Sequence, residues 1–342
     1  MTDKGTLCVL ASAMLLASSI AAAQPQLSGT YDVGTLTPLE RPAAFGDHLE
    51  LTPEEAEQMR ARIATMMARD AENSDPDRAA PPKGQFSNGY NLFWVDPGSA
   101  ATLVDGKFRT SIITSPANGQ KPPMTQSGKQ RMNALLSSWT IVWRNPDPTV
   151  AKDGATAWWL EDGNPDGPYD NIEQRPVAER CIIGSRSTGG PPMLPNVYNN
   201  YKRIIQTDTH VMILTEMIHD ARIIRLNSQH PDASLQFWLG DSIGWYEGDS
   251  LVVETKNFGP TPALSGASAN MTVIERFTPA EEGNLLYQFT VDDPQIWTEP
   301  WSGEYTWQRK NAKVYEFACH EGNYALGNIM RGARQLEREH AN

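Results

Sequence analysis

Two histidines in this chain are each followed directly by an acid, and those two dipeptides are its clearest candidates for proton-transfer chemistry. The first lies in Glu216-Met217-Ile218-His219-Asp220-Ala221-Arg222. An imidazole titrates near neutrality, so His219 can take up and return a proton. Asp220 or Glu216 would orient its ring or bind substrate, and Arg222 would hold an oxyanion or carboxylate. Read as a strand, the segment turns Glu216, Ile218 and Asp220 to one face and Met217, His219 and Ala221 to the other. These ionisable groups are flanked by Met212-Ile213-Leu214 and Ile223-Ile224, and burial would demand partners for them. The plainer alternative is a turn after residue 218, with Asp220 and Arg222 in an exposed ion pair.

The second candidate is Cys319-His320-Glu321-Gly322-Asn323-Tyr324, where a strand is expected to give way to a helix. His320 with Glu321 or Tyr324 makes another proton-transfer group. Its alternative reading has Glu321 complementing the positive end of the last helix. Tyr90, Arg109, Tyr198, Asn199 and Trp245 add aromatic, amide and cationic groups suited to a ligand pocket. Asp241, Trp245 and Glu247 share a hairpin punctuated by Gly240, Gly244 and Gly248, which reads better as turn scaffold. Glu275-Arg276 interrupts the strand Met271–Phe277. Adjacent strand residues face opposite sides, so one of the two enters the interior and requires an ion-pair partner. There is no Gly-rich phosphate loop, H-E-x-x-H, EF-hand loop or G-x-S-x-G elbow. With six histidines and none at helical ligand spacing, the expectation is no metal and no cofactor.

The elements that must position these groups are short. Thr52, Pro53 and Glu55 form a capping box that starts a helix, with Met59, Ile63, Met66 and Met67 along one face. Residues 70–87 are polar and Pro-rich and read as linker. Strands are expected at Asn91–Val95, Phe108–Thr114 and Ser138–Trp143. Further strands follow at 201–207, 210–218, 222–226, 235–239, 243–247, 250–256, 271–278, 285–291, 304–309 and 313–318. A last helix spans about 323–338, with Leu326, Ile329, Met330, Ala333 and Leu336 on one side. With 26 glycines and 25 prolines in 342 residues, turns are frequent and a helical bundle is excluded. The fold class is therefore mainly β: an antiparallel meander forming a barrel or sandwich of lipocalin-like character, with an early and a C-terminal helix.

Residues 7–23 are apolar or small, follow Lys4 and end in Ala21-Ala22-Ala23, which is the layout of a cleaved signal peptide. The expected organisation is a signal peptide at 1–23, an extended segment, helix and linker at 24–87, and a β-rich domain at 88–342. Export to the periplasm or beyond leaves Cys181 and Cys319 in an oxidising compartment, where they are expected to pair. The net charge of −12 without a basic stripe excludes nucleic-acid binding, and no later segment suits stable membrane insertion.

The stretch Trp238 to Phe258 (WLGDSIGWYEGDSLVVETKNF) resembles the GDS-x-G-x-WEGD-x-LVV-x-T-x-NF segment of a largely uncharacterised family of exported, periplasmic bacterial proteins. Here Trp245-Tyr246-Glu247 stands where that family reads Trp-Glu, a departure suggesting a bulge. Glu216–Ile224 and Ala318–Tyr324 are similar to the same family. The resemblance covers roughly 90–334 and implies export and one β-rich unit, without supplying a reaction. From the residues themselves, ten Trp and ten Tyr would line a barrel suited to a hydrophobic, aromatic small molecule. The leading expectation is an exported enzyme (lyase, isomerase or hydrolase) using cofactor-independent acid/base chemistry on such a molecule. The alternative is a non-catalytic periplasmic binding protein for it. An oligomer is compatible with either.

Overall fold

Alternating apolar residues over short runs demand a sheet with one covered face, and here that face is turned inward all the way round. A computed structural model describes residues 24–70, 77, 95–139 and 169–341. The expected signal peptide, most of the linker, Tyr90 and the run Asn91–Trp94 lie outside the described residues. Strand β1 is Gly29–Asp32, and β2 (Glu50–Leu51), β3 (Leu103–Val104) and β4 (Lys107–Arg109) form a small separate sheet. Next come β5 (Ile113–Ser115), β6 (Tyr201–Gln206), β7 (His210–Thr215) and β8 (Ala221–Leu226). The series ends with β9 (Asp241–Glu247), β10 (Ser250–Lys256), β11 (Thr272–Pro279), β12 (Leu285–Asp292) and β13 (Trp301–Lys310). Helices α1 (Pro53–Asp70), α2 (Gln126–Trp139) and α3 (Tyr324–His340) complete the list of long elements.

Strands β6 to β13 pair in sequence, and β1 inserts between β6 and β13 to close a nine-stranded barrel. The segment read as a mere extended lead-in therefore supplies the closing strand. An odd number of strands cannot alternate in direction around a ring, so at least one pair must run parallel. That pair is β8–β9, with Ile224 opposite Ser242, made possible by the crossover 227–240. The expected meander is otherwise antiparallel. β5 adds to the free length of β13 beyond β1.

Closure explains which expected strands did not form. Residues 313–318 follow β13, whose neighbours are already β12, β1 and β5, so no edge remains for them. Residues 235–239 lie in the crossover and make a single bridge, Phe237 to Phe258. Ser138 and Trp139 end α2 instead of starting a strand; Thr125 Oγ1 caps that helix by accepting from Gly128 N at 3.0 Å. The capping box of α1 forms as read: Thr52 N donates to Glu55 Oε2 (2.8 Å) and Glu55 N to Thr52 Oγ1 (3.2 Å). The expected bulge at Tyr246 is absent: the β9–β10 register runs without a break from Ser250–Glu247 to Lys256–Asp241, and residue for residue Tyr246 stands where the similar segment has its Trp.

Large rings fill the interior. Phe277 and Trp307 meet edge to face at 5.4 Å, Tyr287 and Tyr305 at 5.5 Å, and Phe289 and Trp301 at 5.6 Å. Gly303 makes room for one of them, because a Cβ there would sit 2.6 Å from Phe289 Cζ. A loop, Ser187–Leu194, also enters this core and is buried throughout. A buried loop must have its backbone groups satisfied. Met193 N donates to Tyr287 Oη (2.8 Å), Tyr305 Oη donates to the Met193 carbonyl (2.6 Å), and Lys202 Nζ donates to the Thr188 carbonyl (2.6 Å).

Glu275 is the member of the Glu275-Arg276 pair that enters. It is fully buried and ion-paired with Arg222, while Tyr287 Oη donates to it at 2.7 Å. Arg276 stays outside and pairs with Glu247 at 2.7 Å.

Candidate functional site

The chain does not continue as a strand through residue 218. β7 stops at Thr215, and Met217–His219 forms a 3-10 turn with Ile218 at φ 60° and His219 at φ 48°. Left-handed backbone at a β-branched residue is uncommon, and such outliers gather where surrounding structure holds them for use. The turn separates the ionisable groups that a strand would have set on two faces.

Glu216 is buried and accepts from Asn199 Nδ2 (2.7 Å) and from Tyr315 N (3.2 Å), so it anchors the segment after β13. His219 is exposed and its Nδ1 donates to the Phe317 carbonyl at 3.2 Å. Arg222 points into the barrel, donating to Ser242 Oγ (3.0 Å), Thr255 Oγ1 (2.9 Å) and Glu275. Arg222 is thus not in an ion pair with Asp220, and its guanidinium is committed to the core.

Asp220 instead faces Lys202. Lys202 lies opposite Thr215 in the β6–β7 register and is buried. Burial pushes its ammonium down to about 7, although Asp220 and Glu216 favour its charge. Burial likewise pushes the Asp220 carboxyl up to about 6, against the Gly184 N–H, His219 and Lys202, which favour its ionised form. Thr188 Oγ1, Thr215 Oγ1 and Asp220 Oδ2 have no hydrogen-bond partner among the described residues. Gly189 lets Asp220 approach, since a Cβ there would sit 2.6 Å from Asp220 Oδ2. Two groups titrating near neutrality in one buried cluster are the chemistry this end of the barrel offers.

The other expected site residues are dispersed. His320 and Glu321 are exposed, and Tyr324 opens α3 at 78% exposure. Arg109 is buried on the small sheet and donates to Glu304 Oε1 at 2.9 Å. Trp245 lies on the outer wall, its Nε1 donating to Glu247 Oε1 at 2.7 Å, as suits a scaffold. Tyr198 is half-buried just before Asn199. Cys181 and Cys319 form a disulfide, with Cα atoms 5.9 Å apart. It ties the approach to the buried loop to the segment that covers Glu216.

Two cavities open among the loops at this end of the barrel. One, about 310 Å³, is bounded by α2 through Ala134 and Leu135, by 173–180, by Gly184 and Arg186, and by 261–267. The other, about 370 Å³, lies between 35–39, Pro97, Lys121, 194–197 and Leu264. Arg186 and Ser265 belong to both linings. Their walls are rich in Leu, Val, Ala and Pro, and their sizes match the small end of ligand pockets, which run about 300–1,000 Å³. Neither cavity is lined by His219, His320 or the interior rings. Those rings pack on one another, so the expected aromatic-lined lumen is core. Gly184 is the link to the buried pair, lining the first cavity while its N–H bonds Asp220.

No family model, curated protein or solved structure matches the chain. Its functional reading rests on this geometry.

His230 is a group the sequence did not single out. Its Nδ1 meets Asp241 Oδ2 at 2.6 Å and its Nε2 meets Glu254 Oε1 at 3.1 Å, while Arg225 forks onto Asp241 at 2.6 and 3.1 Å. Burial favours the protonated Asp241, but the hydrogen bonds from Arg225 and His230 prevail and hold its pKa low. This cluster ties the crossover to β8, β9 and β10 and stabilises the parallel pair.

The buried pair makes a prediction about pH. Asp220 has a raised pKa, so the folded state holds its proton in a range where the unfolded chain has released it. Its contribution is present below about pH 4 and is lost as pH rises towards about 6. Lys202 has a lowered pKa, so its contribution is present above about pH 10 and is lost as pH falls towards about 7. Urea midpoints across this range should show Asp220→Asn flattening the acid limb and Lys202→Met flattening the alkaline limb. Profiles parallel to the unaltered protein would contradict both assignments.

Proposed function

We propose that this chain is an exported protein that binds a hydrophobic small molecule in the two cavities meeting at Arg186 and Ser265. That shared lining carries the reading: one ligand seated there touches apolar walls on both sides. Export is supported by the apolar segment before Gln24 and by the disulfide. Among the described residues, no helix is long and apolar enough to cross a membrane. Titration with the neutral apolar dye N-phenyl-1-naphthylamine should saturate at one site. Ser265→Trp, at an exposed position between the cavities, should weaken it about tenfold or more, roughly 1.4 kcal/mol, with an unchanged melting temperature. An absent signal, or one indifferent to Ser265→Trp, would count against the reading.

A second reading, acid/base catalysis on the bound molecule, is favoured by the near-neutral Asp220 and Lys202 behind Gly184. His219 and Glu216 would act beside them, with Arg222 fixing the barrel wall. Mass spectrometry of pooled aromatic compounds incubated with the protein should then reveal products that Asp220→Asn abolishes. Compounds returned unchanged would leave the carrier reading alone.

A further inference from the structure

Resting on the binding reading, we propose that the two cavities take an apolar molecule bearing a single anionic group, and that Arg186 receives that group. The chain as a whole carries a net charge of −12, yet the two linings together hold five cations and one carboxylate, that of Glu173. Low-dielectric walls concentrate such a local field and draw anions in from an otherwise repelling surface.

Four of the cations are already engaged. Arg131 donates to the Ala267 and Pro260 carbonyls, Arg175 pairs with Glu179 at 2.8 Å, and Arg180 donates to the Glu173 carbonyl. Lys121 lies 3.5 Å from Glu40. Arg186 has no hydrogen bond or ion pair among the described residues, and it is the cation common to both cavities. Its place is built into the chain. Arg186 (φ 58°) and Ser187 (φ 62°) both adopt left-handed backbone, and the buried Ser187 anchors that bend. Ser187 N donates to the Ala263 carbonyl at 3.1 Å, and Ser187 Oγ to the Pro192 carbonyl at 2.6 Å. A strained, well-anchored bend that presents an unpaired guanidinium between two apolar hollows suits a carboxylate or sulfonate, whose paired oxygens match the fork.

The test uses two matched probes on the full mature protein: 8-anilinonaphthalene-1-sulfonate, which is apolar with one anion, and neutral N-phenyl-1-naphthylamine. The sulfonate should bind more tightly than the neutral dye, and its affinity alone should fall with added salt. Arg186→Ala should weaken the sulfonate about tenfold or more while leaving the neutral dye within about twofold, and Arg186→Lys should restore part of the loss. Trp238→Ala, on the exposed crossover patch with Leu235 and Phe237, should change neither. If Arg186→Ala weakens both dyes equally, or if Trp238→Ala removes the sulfonate signal, the assignment of Arg186 is overturned. If only the neutral dye binds, the anionic assignment falls and the binding reading stands. If neither binds, both fall.

Discussion

Replacing Glu275 with alanine is expected to lower the unfolding free energy by about 3–5 kcal/mol, a large share of the stability of an ordinary domain. Glu275 is fully buried, and the change strands the buried Arg222 guanidinium with only the hydroxyls of Ser242 and Thr255. Tyr287 loses its acceptor at the same time, and through Tyr287 the effect reaches the Met193 amide of the buried loop. The cost comes from an uncompensated charge and not from the net worth of the pair, which is why a second variant is informative. Arg222→Met with Glu275→Leu removes both charges and should recover most of the loss. Urea unfolding of the three proteins checks this. A Glu275→Ala variant within about 1 kcal/mol of the parent would mean that water reaches the pair.

The second large effect concerns the disulfide. Cys181 and Cys319 are 138 residues apart, so opening the bridge frees a long loop in the unfolded chain. On the loop-entropy account this costs about 4–5 kcal/mol. Cys181→Ser with Cys319→Ser should lower stability by up to that amount. It should also loosen residues 311–323, which otherwise touch the rest of the chain through Tyr315 N on Glu216, the Phe317 carbonyl on His219 and Asn323 on the Glu179 carbonyl. Limited proteolysis should then cut within that segment before the barrel unfolds. An unchanged melting temperature after reduction would show that these contacts alone hold the segment.

Much of the barrel is legible because its inner face is regular. Leu285, Tyr287, Phe289 and Val291 alternate with polar or half-exposed residues, and Trp301, Gly303, Tyr305 and Trp307 repeat the pattern. The odd-numbered Glu275 falls on that face, so its need for a partner could be stated, though not that Arg222 would be the partner. The disulfide was legible from the expectation of export and from the count of two cysteines after residue 23. Closure was not: β1 is four residues long, and nothing in Gly29–Asp32 says that it will pair with both β6 and β13.

The site was the least legible part, for a physical reason. In Tyr201-Lys202-Arg203-Ile204-Ile205-Gln206, each face of the strand carries one cation and one isoleucine, so alternation cannot decide whether Lys202 or Arg203 turns inward. Tertiary context decides it, because the Thr188 carbonyl of the buried loop needs a donor. His219 and His320 drew attention through their neighbours in sequence, whereas the relevant neighbours are spatial. Asp220 faces Lys202, and Arg186 gains its significance from two cavities assembled out of segments far apart in the chain.

The most direct measurement is a crystal structure of the protein grown with 8-anilinonaphthalene-1-sulfonate. Aromatic density is expected in the hollows beside Ala263 and Leu264, with the sulfonate within hydrogen-bonding distance of the Arg186 guanidinium. Density confined to Leu235, Phe237 and Trp238, with the Arg186 cavities filled only by solvent, would contradict this placement.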